Sequence, residues 1–489
     1  MASIDELRAE RLRKLAELRS AKVDPYPAKV TLDYSLEEVR RYATKLKKRR
    51  APLSLVGRVL GLRGQGKLNF FDLHDGTGKL QALLKQGEVA DELLTRFETT
   101  VDRGDFVAVS GSLFVTKSNE LTLLVKDWQM LSKSLRPLPD KWHGLTDVEE
   151  RFRHRYLDAF LNETVRTRFA LRSKLLNAIR AYLDDAGYLE VETPMLQPLA
   201  GGATATPFKT HHAALDTPLY LRISPELYLK EMLIAGFPKV YELSRCFRNE
   251  GIDVTHNPEF TMLEFYEAYS DATKQRQFVE KLIKTLVKKF GSKMSLTYSG
   301  EKIDFKTDFR VVTYYDLFKR YALIADPTSA TAKELSIKAA QFGLTVPPGA
   351  TREKILDLIY KKVCRPKLTQ PTFVVDYPKA YLPLAKAKSD NPDLADAFQL
   401  VIGGLELVKA FSELNDPVEQ EARFEAEEKS KQAGETETQP LDREYVEAME
   451  HGLPPAGGVG IGIDRLAMLF TDTVNIREVI FFPTLKPKS

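Results

Sequence analysis

The chain has 489 residues, of which 29% are charged and 43% hydrophobic, and its formal net charge is +4 at pH 7. Such a composition is typical of a globular protein with roughly two or three domains, and the modest charge does not by itself indicate a nucleic-acid-binding protein. Cys246 and Cys364 lack metal-ligand or redox spacing, which predicts reduced thiols in a cytoplasmic protein. No apolar run approaches the length of a membrane span, so we expect neither a signal peptide nor a membrane anchor.

The first fifty residues are predicted to form a helical, basic extension. A helix over residues 3–22 begins at Ser3, which is followed three places later by Glu6 in the pattern of a capping box. Its polar face carries six basic residues: Arg8, Arg11, Arg13, Lys14, Arg19 and Lys22. A charged helix face of this kind is usually solvated. Together with the basic run 45–50, this face would contact phosphates if the chain binds a nucleic acid.

Short strands separated by glycine turns follow, over residues 53–62, 68–73, 80–84, 106–114 and 121–128. Five strands within about eighty residues predict a small barrel of the OB-fold type. Phe70 offers a stacking surface, and Arg63 and Gln81 offer hydrogen-bonding groups for unpaired bases. A barrel core with a solvated rim explains these residues about as well.

A proline-containing segment, residues 135–145, predicts a domain boundary with a stiff linker. A long amphipathic helix is then predicted over residues 163–185, with Gly187 at its C′ position and a strand over residues 188–194. The small-residue loop 201–208 would let the backbone approach a ligand. A strand at 219–223 and a helix that begins near Glu226 come next.

Residues 247–266 predict a hairpin with a polar tip. Arg248 is placed on the entering strand, with Glu250 two residues later on the same face. His256 falls in the turn, and Phe260 opens the returning strand. Glu264 and Tyr266 share one face of that strand. Each residue also has an ordinary interpretation, as a surface ion pair, a core aromatic residue or a solvated histidine.

Residues 278–290 are predicted to be helical, and residues 318–369 to form a mostly helical insertion to which we assign no chemistry. A second hairpin, residues 398–417, turns at Gly403 and Gly404. Strict alternation places Glu406 on the face opposite to Lys409 and Glu413, so all three can face one site only if the strand contains a bulge or a bend. Residues 424–439 are predicted to be a solvated helix and loop.

The chain closes with a glycine-rich strand that enters a helix at Asp464, with Arg465 at the helix N-terminus where it could face phosphates. The glycine spacing is not that of a dinucleotide-binding fingerprint. The segment is similar to motif 3 of the class II aminoacyl-tRNA synthetases, and residues 163–194 resemble their motif 1. The string RNEG…HNPEFTMLEFY resembles motif 2 and is most similar to that of the lysyl-tRNA synthetase subgroup.

The resemblance implies an α+β fold, with an N-terminal OB-fold β-barrel followed by a class II catalytic domain whose antiparallel sheet is flanked by helices. The expected domains are the extension 1–50, an anticodon-binding barrel 51–134, a linker 135–160 and a catalytic domain 161–489. The implied reaction is ATP-dependent activation of L-lysine to lysyl-adenylate and its transfer to the 3′ end of tRNA(Lys), with Mg²⁺, in a cytoplasmic homodimer.

The resemblance also implies roles for single residues. Arg248 and Arg465 would be catalytic. ATP would be bound by Arg248, Glu250, His256, Asn257, Phe260, Glu406 and Arg465. Lysine would be bound by Gly202, Glu226, Arg248, Glu264, Tyr266 and Glu413. The anticodon would be bound by Arg63, Phe70, Gln81 and Glu120.

Two positions depart from the subgroup. Gln399 stands where a metal-binding glutamate is usual, and Lys409 stands where an asparagine near the substrate is usual. A neutral amide is a poorer magnesium ligand than a carboxylate, so Glu406 is the expected metal ligand and Gln399 a doubtful one.

Three alternatives stay open. The related aspartyl and asparaginyl enzymes carry glutamine at the position of Glu226, which argues against them. A ligase that attaches a lysine-like amino acid to a protein lacks the N-terminal barrel. The barrel predicted for this chain therefore argues against that alternative. A catalytically silent, synthetase-like tRNA-binding protein is supported by Gln399 and Lys409 alone.

Overall fold

The computed structural model describes residues 3–65, 67–139, 145, 147–432 and 439–487, without the side chains of residues 65 and 431. Its contacts divide the chain into two units, Met1–Leu161 and Asn162–Ser489. None of the helices within the described ranges is long and apolar enough to cross a membrane. Residues 140–144 and 146 of the predicted linker, 135–160, lie outside the described residues.

The first unit is built around a closed barrel with strand order β1-β2-β3-β5-β4. Its strand pairs are antiparallel except for β3 and β5, which are parallel. Its strands are β1 Leu53–Gln65, β2 Leu68–His74, β3 Lys79–Lys85, β4 Phe106–Val115 and β5 Leu121–Ser132. Its helices are α1 Ile4–Ser20, α2 Leu36–Arg41, α3 Ala43–Leu46, α4 Asp91–Thr100, α5 Val148–Arg153 and α6 Arg155–Leu161. The predicted OB-fold barrel is therefore confirmed. It could be predicted because apolar alternation and turn chemistry specify its strands locally.

Helix α1 begins as predicted, since the Ser3 hydroxyl accepts from the Glu6 amide and the Glu6 carboxylate accepts from the Ser3 amide. The prediction of a fully solvated basic face is wrong. Arg11 is only 7% exposed, and its guanidinium donates to the backbone oxygens of three residues: Arg103, Ser134 and Arg136. Lys14 pairs with Asp102 at 2.7 Å. These two cations stabilise the unit and are not free to contact phosphates.

The second unit contains a mixed sheet with strand order β14-β15-β16-β17-β18-β11-β10-β6. The strands are β6 Leu189–Glu190, β7 Leu196–Gln197, β8 Lys209–His212, β9 Thr217–Leu221, β10 Lys239–Phe247, β11 Glu259–Ala268, β12 Ser295–Tyr298, β13 Glu301–Asp304, β14 Arg310–Thr313, β15 Thr372–Pro378, β16 Leu394–Ile402, β17 Leu405–Ser412 and β18 Ala456–Gly462. The helices are α7 Glu163–Asp185, α8 Glu226–Ile234, α9 Ala272–Phe290, α10 Tyr314–Leu317, α11 Ala332–Gln341, α12 Arg352–Ile359, α13 Pro417–Gln432, α14 Arg443–Glu450 and α15 Ile463–Phe470.

Helix α7 has the predicted bounds and ends as predicted. Gly187 has φ of +81°, and the amide of Tyr188 donates to the carbonyl of Leu183 at 3.0 Å, which is a Schellman ending. The strand expected over residues 188–194 is shorter, since only β6 pairs, with β10. The main core lies between the sheet and α7, α9 and α15, so the opposite side of the central strands is left to line a cavity.

The insertion is mostly helical, as predicted, and forms a cluster of its own against β15 and β16. Short π-helical turns at Phe318–Ala322 and Tyr360–Cys364 and a 3-10 turn at Arg365–Lys367 accompany its helices. The prediction that residues 424–439 are solvated is wrong at two positions, because Phe424 is fully buried and Gln439 is 2% exposed. Residues 433–438 lie outside the described residues.

Candidate active site

A cavity of about 410 Å³ opens over strands β11, β17 and β18. The hairpin β10–β11, the small-residue loop before β8, the insertion and the first turn of α15 supply the rest of its walls. All the residues predicted to bind ATP line this cavity: Arg248, Glu250, His256, Asn257, Phe260, Glu406 and Arg465. Among the residues predicted to bind lysine, Gly202, Glu226, Glu264 and Tyr266 also line it.

The hairpin holds its two key residues on a loop, and the predicted placement on the strand is wrong. Strand β10 pairs with β11 only as far as Phe247 opposite Glu259. Arg248 comes directly after the strand, and the amide of Glu250 donates to the Arg248 carbonyl at 2.9 Å in a tight turn. Alternation along a strand therefore does not decide where Arg248 and Glu250 point.

The guanidinium of Arg248 is held in position by a neighbouring ring and has a donor available for a ligand. Its guanidinium carbon lies 5.0 Å from the centre of the Phe260 ring, which restricts the orientation of the planar group. Its Nε is buried and has no hydrogen-bond partner among the described residues. Since an unpaired buried donor is costly, an anionic or carbonyl ligand is the expected partner.

A second cation lies across the cavity. Arg465 Nη2 is 2.9 Å from His256 Nε2, and Arg465 Nη1 donates to the backbone oxygen of Glu406 at 3.1 Å. The other ring nitrogen of His256 contacts the carboxylate of Asp253 at 2.8 Å. The side-chain oxygen of Asn257 is buried without a partner in the described part of the chain. The β10–β11 loop and the first turn of α15, which are distant in sequence, therefore meet here with donors and acceptors available.

The other end of the cavity is acidic. Glu264 accepts from the Ser224 hydroxyl at 2.8 Å and from the Tyr266 hydroxyl at 3.0 Å. Glu413 is 1% exposed and lies directly behind Gly458, where an added Cβ would be 2.0 Å from Glu413 Oε1. Oε1 has no hydrogen-bond partner in the described ranges, so the bare backbone of Gly458 leaves this oxygen room beside the cavity.

Sequence reasoning missed Lys230. Its ammonium is fully buried and lies 2.6 Å from Glu226 Oε1 and 2.5 Å from Glu413 Oε2. Glu226 and Lys230 are four residues apart on α8, which is the spacing of a helical ion pair and was the available signal. Lys230 compensates part of the negative charge of this acidic pocket, which consists of Glu226, Glu264, Tyr266 and Glu413.

Burial perturbs the acids of this pocket. Desolvation, together with the charge of Glu226, raises the pKa of Glu264 to about 7. Desolvation by burial also raises the pKa of Glu413 to about 8, because it outweighs the opposing effect of Lys230; the charges of Glu226 and Glu264 add to the rise. A cationic ligand would favour the ionised form of both carboxyl groups. The arrangement therefore suits an ammonium group.

Comparison with known proteins shows the family of the chain. A family model described as tRNA synthetases class II (D, K and N) matches residues 147–486, and an OB-fold nucleic acid binding domain matches residues 53–131. The lysine–tRNA ligase of Moorella thermoacetica is 43% identical over 484 residues, which are 99% of this chain and 98% of that protein. The lysine–tRNA ligases of Pelotomaculum thermopropionicum and Carboxydothermus hydrogenoformans are each 44% identical, with 99% of this chain covered and 96% and 99% of theirs. The chain belongs to the class II tRNA synthetases.

The insertion of this synthetase contributes two cations to the cavity lining, which the sequence did not predict. Lys361 and Arg365, from its last turns, line the wall beside Glu406. Arg365 Nη1 lies 3.3 Å from Glu406 Oε2. No local pattern marked these residues, because their position depends on how the insertion packs against β16 and β17.

The bulge that the sequence required is present in the synthetase. Along β16 and β17, Leu400 pairs with Val408 but Val401 pairs with Glu406, so Leu407 is the extra residue. This shift brings Glu406 and Lys409 to the same cavity. Glu413 follows the end of β17 and reaches the acidic pocket separately.

The donors around Glu406 do not fit a magnesium ion held by protein carboxylates. Among the described residues, no group of three His, Cys, Asp or Glu side chains could hold a metal ion. Gln399 does not line the cavity within the described ranges, and its Oε1 accepts from the hydroxyls of Tyr360 and Tyr377 at 3.0 and 2.7 Å. Burial opposes ionisation of Glu406, but the charges of Arg465 and Arg365 hold its pKa below the usual value. One carboxylate surrounded by cations is a poor cage for Mg²⁺.

The barrel of the synthetase has a separate open groove of about 550 Å³. Arg63, Phe70 and Gln81 line it together, as the prediction of a base-binding surface requires. Gln81 Oε1 accepts from Thr122 at 2.9 Å. Glu120 is not among the described lining residues, and its carboxylate lies 3.6 Å from Arg40. Three of the four predicted anticodon residues therefore line the groove, and Glu120 is not part of its described lining.

Proposed function

We propose that the protein activates L-lysine with ATP and transfers the lysyl group to the 3′ end of tRNA(Lys). The observation that carries this proposal is the polarity of one cavity. Its acidic pocket suits an ammonium group, and its opposite end is rich in arginine and lysine, which suits phosphates. The lysine–tRNA ligases that match the chain over nearly its full length support it.

The chemistry needs positioning more than proton transfer. A carboxylate is already a nucleophile towards the α-phosphate of ATP, so no general base is required. Arg248, whose buried Nε has no partner among the described residues and whose plane is held by Phe260, would hold the α-phosphate and the substrate carboxylate together. By resemblance, Glu250 and Asn257 would contact the nucleotide, and Phe260 and Arg465 would enclose the adenine. His256 would contact the terminal phosphates.

The amino-acid pocket favours lysine on charge grounds. Glu226 and Gly202 would hold the α-ammonium group, and Glu264, Glu413 and Tyr266 would meet the ε-ammonium group. Three buried carboxyl groups against one internal ammonium, that of Lys230, leave the pocket able to accept a further positive charge. The same carboxyl groups would repel the side chain of aspartate.

Other roles follow from the resemblance. The barrel groove would bind the anticodon through Phe70, Arg63, Gln81 and Glu120, and residues 163–194 would form a homodimer interface in a cytoplasmic enzyme. Mg²⁺ would arrive as the counter-ion of ATP, with Glu406 as the one carboxylate of this wall that could contact it.

ATP–pyrophosphate exchange with each standard amino acid, without tRNA, tests the proposal. Exchange with lysine alone is expected. Exchange with aspartate or asparagine would instead support the related specificities, and no exchange with any amino acid would support a catalytically silent tRNA-binding protein. Lysine-dependent exchange without subsequent charging of tRNA(Lys) would contradict the second half of the proposal only.

A further inference from the structure

Three cations form one wall of the cavity around Glu406. Lys361 and Arg365 come from the insertion, and Lys409 comes from β17; we call these three residues the cationic wall. Arg248 and Arg465 lie on the same cavity. Five cationic side chains of the described lining are thus on the same cavity as Glu406.

The cations of this wall have capacity for a ligand. The Lys409 side chain is exposed to the cavity, and it forms no ion pair or hydrogen bond with any residue that the structure describes. Arg365 uses Nη1 on Glu406, but its buried Nε has no partner within the described ranges. Lys361 pairs with Asp357 at 2.7 Å and is half exposed. Two of the three therefore have unused donors.

Lys409 and Gln399 form a register pair across β16 and β17, so the two replacements in the subgroup pattern are neighbours. The oxygen of Gln399 is already occupied by the Tyr360 and Tyr377 hydroxyls. The ammonium group of Lys409 is therefore on the strand position paired with a neutral amide, where the subgroup pattern has a carboxylate. A lysine can supply a positive charge to a phosphate as a point charge, without a bridging metal ion.

We propose that the cationic wall, and Lys409 above all, acts as a fixed counter-charge for the polyphosphate of ATP, in place of a metal ion held by the protein. This inference rests on the proposed function, because it assumes that ATP occupies the cavity with its phosphates towards Glu406. Its consequence is a nucleotide affinity that depends little on divalent metal.

Calorimetric titration with α,β-methylene ATP tests whether nucleotide binding depends on a divalent metal. The analogue cannot form an adenylate, because its α,β bridge does not break. The titration is done in the presence of lysine, once with Mg²⁺ and once with EDTA. The wild-type protein is expected to bind the analogue in EDTA with a Kd within about tenfold of the Mg²⁺ value. Lys409→Asn should weaken binding in EDTA by roughly ten- to a hundredfold, the loss expected for one charge-assisted hydrogen bond. Lys409→Arg should retain most of the affinity.

Lys362→Asn is the matched control, since Lys362 is exposed and is not among the described lining residues; its Kd in EDTA should equal that of the wild type. The double variant Gln399→Glu, Lys409→Asn should bind the analogue tightly only with Mg²⁺. Failure of the wild type to bind without metal, or an unchanged Kd for Lys409→Asn in EDTA, overturns the inference. If the wild type nevertheless catalyses lysine-dependent exchange, only this inference is lost; absence of exchange with every amino acid refutes the proposed function separately.

Discussion

Replacing Glu413 by glutamine tests the acidic pocket most directly. The substitution keeps the shape of the side chain and removes its charge. Glu413 is 1% exposed, Oε2 is paired with Lys230 at 2.5 Å, and Oε1 is unpartnered among the described residues. We expect the variant to fold, because Lys230 keeps its 2.6 Å contact with Glu226. Burial already favours the neutral form of Glu413, whose pKa is raised to about 8.

The expected loss is in lysine binding. Removing one charged partner from a buried, hydrogen-bonded charge pair costs about 2 to 5 kcal/mol. Because Lys230 already shares the carboxylate, the lower part of that range applies, about 2 to 3 kcal/mol. This corresponds to a rise in the lysine KM of roughly thirty- to a hundred-and-fiftyfold. The KM for ATP should stay unchanged, because Glu413 lies at the acidic end of the cavity.

Steady-state ATP–pyrophosphate exchange over a range of lysine concentrations measures this change. Glu425→Gln is the matched control, since Glu425 is exposed on α13 and should leave both KM values as in the wild type. A lysine KM for Glu413→Gln equal to that of the wild type would remove Glu413 from the pocket. A parallel rise in both KM values would indicate a general distortion of the cavity instead.

The remaining predictions address the cavity floor, the barrel and pH. Gly458→Ala should abolish lysine-dependent exchange, because its Cβ would lie 2.0 Å from Glu413 Oε1 and 2.4 Å from Tyr266 Cε1; full activity with an unchanged lysine KM would contradict the proximity. Phe70→Ala should lower the rate of tRNA charging by about tenfold or more through loss of base stacking, worth about 1 to 3 kcal/mol, while exchange without tRNA stays constant. An equal loss of both activities would count against an anticodon role. The pKa values of Glu264 and Glu413 are raised to about 7 and about 8 in the folded protein without lysine. Between about pH 4 and these values, the folded protein keeps protons that the unfolded chain has lost. The contribution of the two groups to stability is therefore present below about pH 4 and falls as the pH rises to about 8. Lysine binding at pH 7 should therefore release protons, which calorimetry in buffers of different ionisation enthalpy detects; the thermal shift produced by lysine should grow from pH 6 to 8, and no proton release would refute the ionisation argument.

Local patterns were sufficient where neighbours in sequence determine the structure. The barrel strands, α7 with its Gly187 ending and the Gly403–Gly404 turn all follow from alternation, capping and positive φ, which depend on a few consecutive residues. The required bulge in β17 could be deduced because a strand has a fixed period of two, and only an inserted residue brings Glu406 and Lys409 to one face. The same reasoning failed at Arg248 and Glu250, because the strand ends at Phe247, before both of them.

The sequence by itself determined the two-part α+β architecture, the family and a set of ATP- and lysine-binding candidates, all of which except Glu413 line the cavity. Only the tertiary structure decided which charges meet. Lys230 and Glu413 are far apart in sequence and become a buried pair because β17 and α8 pack on the same pocket. Lys361 and Arg365 reach Glu406 through the packing of the insertion, and Arg11 is removed from solvent by barrel carbonyls. Periodicity reports which face a residue occupies, whereas the partner across a packed interface depends on sheet order and element packing, which the period does not encode.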